Sequence, residues 1–170
     1  MGYALAAEEI VTQCPEVAWI VHASGSAGTQ AGLLAGLLAL GHPARVIGVD
    51  VDAQAARVAT DVRAVGRAAA GLLGVASGWD DACVEVAADW CGPGYGVPDA
   101  TTDEAIRLAA RLEGFALDPV YAGKGMAGLI GLARAGRFGQ GDAVVWIHTG
   151  GMPGIFAYPE AMARASNGAT

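Results

Sequence analysis

The segment Val17-Ala18-Trp19-Ile20-Val21-His22-Ala23-Ser24-Gly25-Ser26-Ala27-Gly28-Thr29-Gln30-Ala31-Gly32 constrains the fold of this chain more than any other. It passes from a uniformly apolar run into a Gly/Ser turn and then into a helical pattern. A run that is uniform rather than alternating marks a strand covered on both faces, as in a parallel sheet. The turn lets successive backbone N–H groups converge on an anion, and the helix behind it points its positive end at the same spot. A phosphate is the guest that such a segment suits.

Several kinds of phosphate site are built this way. A P-loop requires a Lys directly before a Ser/Thr at the end of the loop, whereas Gly28-Thr29 has none and the chain's single lysine, Lys124, lies far downstream. The dinucleotide fingerprint G-x-G-x-x-G is also missed, since Gly25-Ser26-Ala27-Gly28 is followed next by Gly32. Asp50 does stand at the end of the next strand pattern, where a ribose-binding acid would sit, so a nicotinamide dinucleotide-binding domain of Rossmann type stays open as an alternative.

A net charge of −7 and a pI near 4.7 argue against nucleic acid, which needs a basic face. A small-molecule ligand fits better. The apolar runs around Val17–Val21 and Ala31–Leu40 fall short of the ~20 residues of a membrane span, and no secretion signal is visible. Cys14, Cys83 and Cys91 are odd in number and widely spaced, which suits reduced thiols in the cytoplasm. His22, His42 and His148 lack metal-ligand spacing, so no metal is expected.

Along the chain, helical spacing runs from Gly2 to Gln13 and ends before Pro15. A strand over Val17–Val21 is followed by a buried helix from Thr29 to Leu40, closed by Gly41-His42-Pro43. The next strand is Arg45–Val49, after which Asp50 or Asp52 is expected to cap a helix reaching about Leu73. Val84–Ala87 reads as a short strand, and Pro93, Gly94, Gly96 and Pro98 make a stiff loop around Tyr95. Thr101 and Glu104 stand in capping-box relation at the start of a helix closing at Gly114. A further helix from Gly123 to about Arg137 leads to a strand over Ala143–His148 and the turn Thr149-Gly150-Gly151. Alternating strands and helices predict an α/β fold with a doubly wound, mainly parallel sheet and helices on both faces. Ligands of such sheets lie at the carboxyl ends of the strands, where the loops Ser24–Gly28, Gly92–Pro98 and Thr149–Gly151 are all expected.

Four stretches, in order, are together specific: Ala23-Ser24-Gly25-Ser26-Ala27-Gly28-Thr29, Pro93-Gly94-Tyr95-Gly96-Val97-Pro98, Leu117-Asp118-Pro119-Val120-Tyr121-Ala122-Gly123-Lys124-Gly125-Met126-Ala127-Gly128-Leu129, and His148-Thr149-Gly150-Gly151. They resemble the D-cysteine desulfhydrase and 1-aminocyclopropane-1-carboxylate (ACC) deaminase family of pyridoxal phosphate (PLP) enzymes, whose fold is like that of the tryptophan synthase β subunit. The resemblance implies that residues 1–170 form one α/β unit, the carboxyl-terminal, PLP-phosphate-binding part of a two-domain enzyme about twice as long. The lysine that tethers PLP in that family lies in the other half, so the chain by itself is expected to be inactive. Met1-Gly2-Tyr3 reads as an interior stretch of the family, which suggests a fragment, a truncation or a split gene.

By position, the resemblance assigns Ser24, Gly25, Ser26, Ala27, Gly28 and Thr29 to the phosphate cup. It places Thr149, with Gly150 beside it, against the pyridine nitrogen. Tyr95 and Tyr121 become the active-site phenols, able to hydrogen-bond the substrate or move a proton. Lys124 matches a structural lysine near a helix start. Where ACC deaminases carry glutamate and D-cysteine desulfhydrases typically threonine, this chain has Ala122, which counts against cyclopropane ring opening. The implied activity is α,β-elimination on a small amino acid, D-cysteine desulfhydrase-like, giving pyruvate, ammonia and sulfide, with ACC deaminase or cysteate-type lyase activity as variants within the family. The missing amino-terminal half as a separate chain and a homo-oligomer of the complete enzyme are the partners implied. A non-catalytic fragment acting as a binding module is a further alternative.

Overall fold

The structure, a computed structural model, describes residues 1–167. Four strands form one sheet: β1 (Val17–Ser24), β2 (Arg45–Asp50), β3 (Glu85–Ala87) and β4 (Ala143–Ile147). Their spatial order is β3-β2-β1-β4, and every pairing is parallel. After α1 (Gly2–Gln13) and β1, the chain winds outward through α2 (Gly28–Leu40), β2 and α3 (Ala55–Leu72) to β3. It returns through α4 (Ala100–Leu108) and α5 (Ala122–Arg134) to β4, on the far side of β1. This reversal is the doubly wound arrangement expected from the sequence. It opens a crevice between the carboxyl ends of β1 and β4, the place where such sheets take their ligands.

β1 is central and apolar on both faces. Ile20 and Val46 join Ala31, Leu33, Leu34 and Leu37 of α2 in one core cluster, while Val21, Ile47 and Val49 pack with Leu129 and Leu132 of α5 in another. Two helices come unusually close to their supports. A Cβ on Gly36 would lie 2.8 Å from that of Ala7, so α1 lies directly on α2. A Cβ on Gly125 would lie 2.9 Å from that of Ala23, so the α5 backbone rests on β1 just below its carboxyl end. This second contact fixes the height of Tyr121 relative to the Ser24–Gly28 turn.

Two expected helix caps are corrected. The cap of α4 is Asp99 rather than Thr101, because its carboxylate accepts the Thr102 N–H at 2.9 Å and both neighbouring threonine hydroxyls at 2.8 Å. Glu104, freed from a capping box, pairs with Arg134 of α5 instead. Neither Asp50 nor Asp52 caps α3: the Asp50 carboxylate accepts the N–H groups of Asp52 and Gln54 at 2.9 and 2.8 Å, and the helix starts at Ala55 without a side-chain cap. The helix from Ala100 continues as a π-helical turn, Ala109–Glu113, before closing at Gly114, whose φ is +74°. Beyond the turn after β4 lie two helices with no counterpart in the sequence reading, α6 (Gly154–Ala157) and α7 (Pro159–Asn167).

Candidate active site

At the end of β1 the chain reverses sharply. Ala27 adopts φ 66°, ψ −28°, and the Gly28 N–H donates to the Ser26 carbonyl at 2.8 Å. A non-glycine residue in this region stores strain that the surroundings must hold, a common mark of ligand sites. Among the described residues, the N–H groups of Gly25, Ser26, Ala27, Thr29 and Gln30 meet no acceptor, and no side chain caps α2. The turn therefore presents a concave set of donors at the positive end of a helix, which is the chemistry of an anion cup. Ser24 itself is turned the other way. It is buried, with its Cβ close to Gly48 of β2 and its hydroxyl unpartnered, so it belongs to the turn through its backbone.

The cleft over this turn, of about 420 Å³, is lined by Gly25, Ser26, Asp52, Tyr95 and Tyr121. Tyr121 precedes α5 and its ring lies over Gly25, 3.7 Å from where a Cβ would stand there. Its hydroxyl donates to the Ala23 carbonyl at 3.2 Å. Burial pushes the phenol pKa up, reinforced by Tyr3 and Tyr95 and opposed by the Thr149 hydroxyl, so Tyr121 is a neutral donor near pH 7. Thr149 thus reaches the same cleft from the end of β4. Its hydroxyl is buried and makes no hydrogen bond of its own. Gly150 N–H turns back to His148 Nδ1 at 3.2 Å.

Tyr95 is exposed on a loop whose Gly92, Gly94 and Gly96 all have positive φ. Lys124 holds that loop in place. Its Nζ, wholly buried, donates to the carbonyls of Cys91 and Gly94, and burial lowers its pKa while Cys91 and Asp99 oppose the shift. The chain's one lysine is consequently a structural clamp, in keeping with the reading made from its position. Asp118, which the sequence marks only as part of the Leu117–Leu129 motif, also belongs to the site. It is buried, and its carboxylate accepts the N–H groups of Val120, Tyr121 and Ala122 at 2.9, 2.7 and 2.8 Å. The signal available was an Asp-Pro pair immediately before a helix.

A cleft of similar volume, about 430 Å³, lies at the other end of the sheet among Pro15–Trp19 and His42–Arg45. It faces the amino ends of the strands, away from the donor turn. Among the described residues no group of three or more His, Cys, Asp or Glu could hold a metal, and no helix is long and apolar enough to cross a membrane.

A parallel doubly wound sheet, with unpaired backbone donors and two phenols at its switch point, defines the class as an α/β protein of doubly wound type. Residues 1–150 match the family described as "Pyridoxal-phosphate dependent enzyme", and the chain belongs to that family. It is 46% identical over 161 residues to a D-cysteine desulfhydrase of Salmonella typhi, and 45% identical over 161 residues to one of Salmonella newport. Each match covers 93% of this chain and 48% of the relative, so the chain spans about half the length of these proteins. A solved structure described as an ACC deaminase homologue superposes with a TM-score of 0.86 at 36% identity, covering 96% of this chain and 49% of that one. The nicotinamide reading is set aside by the family match. Asp50, on which it depended, is 1% exposed and spends its carboxylate on its own loop.

Proposed function

We propose that this chain is the carboxyl-terminal, phosphate-binding portion of a PLP-dependent lyase of the D-cysteine desulfhydrase kind. The reaction is α,β-elimination on a small amino acid, releasing sulfide and then pyruvate and ammonia. The observation that carries this reading is that the unpaired N–H groups of Gly25, Ser26, Ala27, Thr29 and Gln30 lie at the cleft lined by Tyr95 and Tyr121, with the buried Thr149 hydroxyl beside Tyr121, in a chain 46% identical to a D-cysteine desulfhydrase. Bound PLP would supply the electron sink for the charge left at Cα when the substrate's α-proton departs.

The residues present suit that group. The N–H groups of Gly25, Ser26, Ala27, Thr29 and Gln30 would hold the phosphate, and an orphaned hydroxyl at Thr149 is the kind of neutral partner a pyridine nitrogen needs. A neutral partner tempers the ring's electron-sink strength. Tyr121, kept protonated by burial, has its O–H on the Ala23 carbonyl, so it meets a substrate as a neutral phenol whose oxygen can accept, not as a phenolate. Tyr95 stands at the exposed rim of the same cleft. Ala122, buried against Ile106 and Leu117, stands where ACC deaminases have glutamate and D-cysteine desulfhydrases typically threonine, so it counts against cyclopropane ring opening without itself favouring a thiol-bearing substrate.

Lys124 is committed to two carbonyls, so the lysine that tethers PLP comes from an amino-terminal half outside these 170 residues. In this reading the complete enzyme is a homo-oligomer, and the chain alone binds without turnover. Sodium borohydride treatment of the chain with PLP, followed by peptide mass mapping and a sulfide assay with D-cysteine, tests it. The expected result is no pyridoxyl group on Lys124 and no sulfide. A modified Lys124 together with sulfide release would overturn the assignment of that lysine and of the missing half.

A further inference from the structure

Asp118 gathers more of the site than any other residue. Its Oδ2 accepts the N–H groups of Val120 and Tyr121, its Oδ1 that of Ala122, and its main-chain carbonyl that of Gly123 at 2.8 Å. Four consecutive N–H groups thus end on one residue that is 1% exposed. Among the described residues no basic side chain pairs with it, so the carboxylate is held by backbone donors alone. One side chain thus ties three successive N–H groups at the helix start, with its own main-chain carbonyl taking the fourth.

The same carboxylate is packed from the other side by the turn after β4. A Cβ on Gly151, whose φ is +99°, would overlap Asp118 Oδ1, and one on Gly154 would lie 3.2 Å from the Asp118 Cβ. The positive φ calls for glycine at 151 on its own account, and the carboxylate packed there leaves no room for a side chain in addition. Tyr121 is meanwhile fixed at both ends, by Asp118 at its backbone and by the Ala23 carbonyl at its hydroxyl.

We infer that Asp118 is the positioning residue of this cleft: it sets the start of α5, and so Tyr121, and seats the turn bearing Thr149 against the same carboxylate. The two side chains then keep a fixed relation to each other across an interval of 28 residues in sequence, from Tyr121 to Thr149. The catalytic meaning of this coupling rests on the function proposed above, whereas the coupling itself is read without any ligand.

Hydrogen exchange read by mass spectrometry on the ligand-free 170-residue chain tests it, in Asp118→Asn, Asp118→Ala and Gly151→Ala. The asparagine keeps one acceptor oxygen for Val120 and Tyr121 but turns a donor toward Ala122, so its effect is expected to be smaller than that of alanine. In both variants, peptides covering 118–124 and 147–152 lose protection together by about tenfold or more, while 17–24 is unchanged. Gly151→Ala leaves the carboxylate in place, so loosening that spreads from the turn to 118–124 supports the coupling even if the Asp118 variants fold poorly. Ultraviolet titration against Tyr121→Phe adds a spectroscopic readout, with the Tyr121 phenol ionising at lower pH in Asp118→Asn than in the unaltered chain. Loss of protection spread evenly over the chain with an unmoved phenol, or loosening confined to 118–124, would overturn the inference. Because no ligand is used, these outcomes are separate from whether PLP binds.

Discussion

Acidification from about pH 7 to about pH 5 is expected to remove about 2 kcal/mol of folding stability through a single buried imidazole. His22 lies on β1 with no exposed surface, its Nδ1 donates to the Ala23 carbonyl at 2.7 Å, and its Nε2 has no partner. That arrangement suits the neutral ring, with Nε2 as a bare acceptor. Protonation would bury a charge and an unsatisfied N–H. Burial accordingly drives the pKa from 6.5 to about 4, against a smaller opposing effect of the Ala23 carbonyl. The unfolded chain takes up its proton near 6.5 and the folded chain only near 4, so between these values the unfolded state binds more protons and stability rises with pH. The contribution is complete above about 6.5, falls as pH drops toward about 4 and is flat below. The drop from 6.5 to about 4, at about 1.4 kcal/mol for each tenfold change, gives about 3.5 kcal/mol in all, more than half of it lost by about pH 5. Two carboxyls with lowered pKa act in a separate window, below the ordinary carboxylate range. They are Asp99, desolvated in part but bonded by Thr102 and Thr101, and Glu104, paired with Arg134. Urea unfolding of the chain and of His22→Val at several pH values isolates the imidazole, because the cavity cost of the substitution does not depend on pH. Equal losses of stability in both proteins between about pH 7 and about pH 5 would refute the reasoning.

Other outcomes follow from the close contacts. Gly125→Ala forces a methyl to 2.9 Å from the Ala23 Cβ and 3.1 Å from its N, so overpacking of about 1–3 kcal/mol outweighs a helix gain of about 0.5–1 kcal/mol. A thermal melt followed by circular dichroism should drop by about 2–8 °C, and an unchanged or raised midpoint would contradict the contact. Lys124→Met leaves the Cys91 and Gly94 carbonyls without their donor, so limited proteolysis within residues 91–98 should accelerate while cleavage elsewhere does not.

The strand, turn and helix at 17–40, the parallel order and the cleft-facing positions of Gly25, Ser26, Tyr95 and Tyr121 were legible because each rests on local composition or on a family motif. What was illegible depends on partners distant in sequence. Asp99 defeats Thr101 as a cap because Arg134, thirty residues beyond Glu104, claims the glutamate that a capping box would use. Asp50 looked like a cap or a ribose ligand, yet its carboxylate is spent within four residues, on N–H groups that a buried strand end exposes. The side-chain direction of Ser24 is set by strand parity and by the bare Gly48 beside it, not by the glycine-rich composition that marks the turn. Asp118 escaped notice because its role requires Gly151 and Gly154 to be brought against it by β4.

The central claim is that residues 25–30 form the phosphate cup for PLP. Hydrogen exchange of the 170-residue chain with PLP at millimolar concentration tests it most directly, with inorganic phosphate as competitor and NAD as control. The account predicts that PLP protects the peptide spanning residues 24–31, that phosphate reverses this protection and that NAD has no effect. Absence of protection there with PLP, or protection by NAD of the peptide containing Asp50, would contradict it.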